Sequence, residues 1–174
     1  PDIAAITSTR VYRYAGVSGT DRPRALRHRR TTMAVTDPTS TTDSTPELVC
    51  QHLADAVFAK TGRRSFFEYR DTGLGDATGG AYRAQVMRAT DVMEKTGWHY
   101  HTCDLQFVYV LKGWVDLEFE GGRIERLGEG GTMAIPSGMI HNEIAVSPDF
   151  EALEVVAPAE MGTVPVPAPE GASS

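Results

Sequence analysis

Cysteine is scarce in this chain. Cys50 and Cys103 are the only two among 174 residues, too few for the disulfide framework of a small secreted domain, and a reducing, cytoplasmic setting is expected. Long apolar runs are missing as well. No stretch approaches the ~18 consecutive apolar residues of a membrane-spanning helix, so a soluble chain with no membrane partner is expected. Positive charge does not predominate either: 17 Lys+Arg stand against 23 Asp+Glu, a formal net charge of −6, which argues against a dedicated nucleic-acid binder. A Gly-rich phosphate loop, a dinucleotide fingerprint and an internal repeat are all absent. What is present is 41% hydrophobic and 23% charged residues, the composition of an ordinary globular domain long enough to bury a core.

The net charge conceals a division. Residues 1–32 hold seven arginines (Arg10, Arg13, Arg22, Arg24, Arg27, Arg29 and Arg30) against two acids, a local charge of +5, and leave 10 basic and 21 acidic residues, or −11, to the rest. This arm lacks the apolar centre of a secretory signal and shows no core-forming period, so residues 1–45 are expected to be a disordered or non-native extension and linker. Met33, followed by a Thr/Ser/Asp run, would make a natural start.

A packing helix is predicted over 46–62. Ser44 can cap it, Pro46 suits its first turn and Glu47 completes a capping box. Leu48, Val49, Leu53, Ala56 and Val57 form its apolar stripe, and Gly62 stops it. From residue 65 the pattern changes to short β segments between glycine turns. Strands are predicted near 65–70, 81–90, 97–101, 105–111, 114–120, 123–127, 132–135, 139–146 and 150–157. Eight or nine strands at this spacing indicate an all-β antiparallel sandwich or barrel over 63–158. Residues 159–174, rich in Pro, Ala, Glu and Ser, are expected to trail as a C-terminal tail.

The chemistry concentrates in two short segments. His99 and His101 are two apart, which on a strand points both imidazoles to one face, where they can hold one metal ion. Gln106 follows, at the start of the next apolar strand. His141 comes from a distant segment, and the Pro136–Gly138 turn is placed to return it to the first pair. His28 and His52 stand outside this pattern and read as surface residues. Cys103 shares the parity of His99 and His101 but reads as a buried, inert thiol. Phe107, Tyr109, Trp114, Met133 and Met139 read as core. Glu118 and Glu120 share a face that is expected to meet solvent. Arg83, Gln85 and Met87 alternate along one strand, a face that can supply an anion-binding arginine, with a solvated edge residue as the equal alternative for Arg83.

These segments resemble the cupin superfamily. Its first motif is matched by His99-x-His101, four residues, Gln106, six residues and Gly113. Its second is matched by Gly130, five residues, Pro136-x-Gly138, two residues and His141. The resemblance covers 97–141 by motif and about 65–157 by strand pattern. It implies a single-domain, RmlC-like jelly-roll barrel with His99, His101 and His141 as ligands of one divalent transition metal (Fe, Ni, Zn, Mn or Cu) at its mouth. Three positions depart from the pattern. Met93 and Ala145 stand where Gly and Asn are usual, with Asn142 near the second, and Gln106 stands where Glu is the usual fourth ligand.

That last departure alters the charge. A carboxamide oxygen still coordinates metal but carries no charge, so three neutral imidazoles and Gln106 leave a divalent site at +2, suited to an anionic ligand. Gln106 also cannot act as a carboxylate base. Cupins with a His-x-His, Gln, His set resemble those acting on unsaturated uronates and on polyketide cyclisation. This implies Lewis-acid isomerase, cyclase or lyase chemistry on a small, oxygenated, anionic or carbonyl-containing substrate. An iron-, nickel- or copper-dependent dioxygenase and a non-enzymatic binding or sensing module remain alternatives. Tyr100, Tyr109, Asn142 and Glu143 are available as bases by composition only. By analogy with cupins a homodimer is expected.

Overall fold

A computed structural model of the chain describes residues 48–172, nearly all of them in β structure or the turns that join strands. Ten strands follow one another: β1 (Phe67–Asp71), β2 (Arg83–Ala89), β3 (His99–His101), β4 (Leu105–Lys112), β5 (Trp114–Phe119), β6 (Arg123–Gly128), β7 (Thr132–Pro136), β8 (His141–Val146), β9 (Glu151–Ala157) and β10 (Thr163–Pro165). They form two five-stranded antiparallel sheets. The first runs β1-β2-β9-β4-β7 and the second β10-β3-β8-β5-β6. All nine strands expected from the alternating pattern are present.

Strand β9 shows why the pattern was readable. Ala152, Glu154 and Val156 are buried while the residues between them are partly exposed, the two-residue period of a sheet with one covered face. The inward residues of both sheets meet in one core: Phe67, Tyr69, Val110, Ile135 and Ala152 from the first sheet, Val115, Leu117 and Phe119 from the second, with Phe66 and Phe150 between. Each buried aromatic side chain contributes roughly 1.5–3 kcal/mol, and these dominate the core.

Two glycines join the strands with left-handed backbone, which other residues rarely adopt. Gly113 turns β4 into β5 at φ +69°, and a Cβ there would lie 2.0 Å from Ser147 Oγ. Gly138 has φ +77° and its N–H donates to the carbonyl of His101 at 3.1 Å. The second motif's turn is thereby fastened to the first motif's strand.

The structure corrects the helix predicted over 46–62. Among its described residues only a 3₁₀ turn, Leu53–Asp55, forms, and Leu48, Leu53 and Val57 are 88%, 74% and 76% exposed. Ser44, Pro46 and Glu47 lie outside the described residues. A short amphipathic helix is marginal in water unless its stripe is buried, and here the chain pairs as a strand instead: Ala59 bridges Tyr69 of β1. Phe58 lies beneath the Arg88 guanidinium, 3.9 Å from ring centre to charge, and the Tyr69 ring occupies the space beside Gly62.

The C-terminal tail expected over 159–174 is also corrected in part. Strand β10 pairs with β3, placing Thr163 opposite His101 and Pro165 opposite His99. The chain then reaches the β5–β6 turn, where Gly171 O lies against Gly122. Glu118 and Asn142, neighbours in register on β5 and β8, are buried, Glu118 completely, so Glu118 does not meet solvent as expected. Conversely Tyr109 and Trp114 lie on outer faces, and Trp114 stacks with the Arg126 guanidinium at 3.7 Å. Cys103 is buried, as expected, and burial pushes its thiol pKa up.

Candidate metal centre

Three imidazoles converge from two short strands. His99 and His101 flank Tyr100 on β3 and point inward together, and His141 begins β8 in direct register with His99. The ring centres lie 4.5 Å (His99–His141), 4.9 Å (His99–His101) and 5.2 Å (His101–His141) apart. One ring nitrogen from each falls within 4.8 Å of the others, so the cluster can hold a metal ion.

The backbone selects which nitrogen faces inward. His99 Nδ1 lies 2.7 Å from the carbonyl of Gly97 and His141 Nδ1 2.9 Å from that of Met139. His101 Nδ1 lies 3.3 Å from the carbonyl of Gly162 and 3.1 Å from Thr163 Oγ1. A carbonyl oxygen only accepts, so Nδ1 of His99 and of His141 carries the hydrogen and their Nε2 keeps its lone pair, and the Gly162 carbonyl favours the same tautomer for His101. The C-terminal strand thus supplies the partner of one imidazole.

Gln106 lines the neighbouring cavity from β4, in the opposite sheet. Its amide Nε2 donates to Glu154 Oε1 at 2.8 Å. Glu154 Oε2 accepts from Gln85 Nε2 at 2.6 Å. Arg63 stands 3.3 Å and Arg83 3.9 Å from the same carboxylate. Arg63 also donates to Thr163 Oγ1 at 3.0 Å, which links the surroundings of Gln106 to those of His101.

One pattern decides what the site can do. Among the described residues, six buried side-chain N or O atoms lack a hydrogen-bond partner. Four of them are His99 Nε2, His101 Nε2, His141 Nε2 and Gln106 Oε1. Buried acceptors without donors cost roughly 1–3 kcal/mol each, and imidazole nitrogens and a carboxamide oxygen fit the donor set of a divalent transition metal, which would give the three clustered nitrogens a common partner.

The electrostatics agree with that fit. Burial lowers the pKa of His99 and, with the nearby Arg63 charge adding to it, lowers that of His101 to about 3. Both imidazoles are therefore neutral, as ligands must be. Glu143 Oε2 lies 3.7 Å from His99 Nε2 and accepts the Thr96 hydroxyl. Burial alone would raise the Glu143 pKa, but the adjacent His141 and His99 and the Thr96 bond together hold it below the ordinary value.

The cavity beside the centre has Thr96, Gln106, Glu143, Arg63 and Arg64 on its polar side and core residues such as Phe67 and Val108 on the other. The structure therefore brings His99, His101 and His141 together, while Gln106 lines the neighbouring cavity with Thr96 and Glu143. Of the composition-only base candidates it singles out Glu143. Tyr109 is on an outer face and Asn142 is buried beside Glu118 on β8. Sequence reasoning missed Glu154, Arg63 and Thr163. The one available signal was the alternation Ala152, Glu154, Val156, which sets a carboxylate among inward residues. His52 is exposed; His28 lies outside the described residues.

Comparison with known proteins bears on the fold. Residues 90–156 match the model of the family described as Cupin domain. A solved structure of the polyketide cyclase RemF from Streptomyces resistomycificus is 20% identical with a TM-score of 0.59, over 72% of this chain and 89% of its own. KdgF from Halomonas sp. is 18% identical with a TM-score of 0.52, over 63% of this chain and 94% of its own. These likenesses establish the fold. No curated protein matches the chain.

Proposed function

We propose that this chain, which belongs to the cupin superfamily, is a metal-dependent enzyme acting on a small, oxygenated, anionic substrate by isomerase, cyclase or lyase chemistry. The observation that carries the reading is the convergence of three buried imidazole nitrogens without hydrogen-bond partners, with the unpartnered Gln106 carboxamide oxygen as the fourth proposed donor. A divalent metal held by His99, His101, His141 and Gln106 supplies Lewis-acid polarisation of a substrate carbonyl or enol oxygen.

The remaining roles fall to the chain's own residues. None of the four ligands brings charge, so the site favours an anionic oxygen, and Arg64 on the same cavity adds attraction for a carboxylate or enolate. Glu143 places a carboxylate by the cluster, at 3.7 Å from His99 Nε2. Thr96 holds its orientation through two contacts, its hydroxyl on the carboxylate and the Glu143 N–H on its oxygen at 3.0 Å. Glu143 Oε2 is thus positioned to accept a proton from a bound substrate. The apolar walls limit water access, which strengthens each of these interactions.

The test combines metal identity with oxygen dependence. The reading expects about one zinc or similar divalent ion per chain and turnover of a carbonyl substrate without oxygen. The same neutral donors suit iron, nickel or copper. Oxygen uptake with diketones or catechols after iron reconstitution, with no anaerobic turnover, would replace this reading by a dioxygenase. A tightly held small molecule that is never converted would leave a binding module.

A further inference from the structure

The buried carboxylate of Glu154 has no place in the chemistry above, yet it is among the most completely buried polar groups of the described chain. Four groups surround it. Gln85 Nε2 lies on Oε2 at 2.6 Å, Gln106 Nε2 on Oε1 at 2.8 Å, and the guanidinium groups of Arg63 and Arg83 stand at 3.3 and 3.9 Å. Every one of them is a donor. A carboxylate held this way only accepts, so an amide beside it must turn its NH₂ toward it and its oxygen away.

We propose that Glu154 is a positioning residue that locks the Gln106 amide with Oε1 facing the three imidazoles, and that Gln106 and Glu154 are a matched pair. The inference rests on the metal reading above. The side-chain amide has two orientations of nearly equal shape, and only one presents an oxygen to a metal. Without Glu154, Gln106 is free to turn its NH₂ inward, and an NH₂ group cannot coordinate.

The pairing also accounts for the amide itself. A carboxylate at position 106 would face the Glu154 carboxylate at hydrogen-bond distance in a buried place, with no hydrogen between them and a repulsion strengthened by the low dielectric. The negative charge that the usual cupin ligand would bring stands one side chain further out, on β9. There Arg63 and Arg83 neutralise it, leaving the metal's own charge for the substrate.

The experiment measures Zn(II) and Co(II) affinity of metal-free protein by competition with a chromophoric chelator, together with the visible absorption of the Co(II) form. Glu154→Gln, nearly isosteric, is expected to weaken metal binding about 10–100-fold, as loss of an outer partner of a ligand does, and to shift the Co(II) spectrum to that of Gln106→Ala. Because Glu154 acts through Gln106, the double variant Gln106→Ala/Glu154→Gln should bind no more weakly than Gln106→Ala alone. The exchange Gln106→Glu/Glu154→Gln restores a donor facing an acceptor and should bind metal more tightly than Gln106→Glu alone.

Wild-type affinity in Glu154→Gln, or losses that multiply in the double variant, would overturn the positioning role while leaving the metal site in place. Metal binding unchanged in His99→Ala/His101→Ala would overturn the site and this inference with it. If Glu154→Gln does not fold, the exchange decides: affinity equal to or below that of Gln106→Glu overturns the pairing.

Discussion

The two sheets serve one cavity in opposite ways. The second brings three histidines whose outer nitrogens are matched with carbonyl oxygens of Gly97, Gly162 and Met139 and whose inner nitrogens have no hydrogen-bond partner. The first brings Gln85, Gln106 and Glu154, whose polar atoms answer one another or two arginines, with Gln106 Oε1 as the exception. Buried polar groups are ordinarily satisfied. A sheet that satisfies its own inward groups is built for rigidity. One that leaves three acceptors open in a single place is built for a ligand.

The largest effect should come from breaking the second sheet's contribution. His99→Ala/His101→Ala should reduce metal content from about one ion per chain to none, measured by elemental analysis, and retention of the ion would remove the contrast altogether.

Acid tests the same sheet without mutation. The folded pKa of His101 is about 3, below the ~6.5 of an unfolded histidine. The unfolded chain therefore binds the extra proton first as pH falls. For the metal-free protein the stability linked to His101 is present above pH ~6.5 and is lost between ~6.5 and ~3, by about 5 kcal/mol in all. His99 shifts in the same direction. Urea unfolding of metal-free protein across that range measures it, and the slope should flatten in His101→Ala.

The apolar part of the interior gives a smaller and different effect. Phe150→Ala should cost about 3–5 kcal/mol of unfolding free energy, with metal bound per folded chain unchanged. A parallel loss of metal would show that packing and site are not separable.

The smallest effect belongs to the seam between the sheets' surroundings. Thr163→Val removes one of the two oxygens near His101 Nδ1 and one acceptor of Arg63 but spares the Gly162 carbonyl, so metal affinity should fall by about tenfold or less. Truncation after Pro158 removes both oxygens and should cost about 10–100-fold. Equal affinities in the two variants would show that β10 contributes nothing beyond Thr163.

Much of this was legible before the fold was known. The strands β1 to β9 follow from two-residue alternation and glycine turns, which report local geometry. The spacing of His99, His101, Gln106 and His141 pointed to a shared site because parity places the first two on one face, and the turn at Gly138 returns the last. The errors have one cause. The 46–62 segment has the period and caps of a helix, yet its stripe finds no surface to bury it and Ala59 joins the edge of β1. The 159–174 segment reads as a tail by composition, yet β10 completes a sheet edge.

By itself, then, the sequence determined the class of fold and the identity of the three converging histidines, since both depend on interactions short in range or periodic along the chain. Tertiary structure alone decided the rest: which imidazole nitrogens face inward, that Glu143 stands by the cluster, and that Glu154 turns the Gln106 amide. Those depend on carbonyls and charges brought from segments as distant as Arg63, Glu154 and Gly162. No pattern within a strand encodes the partner that a buried polar atom meets across the fold.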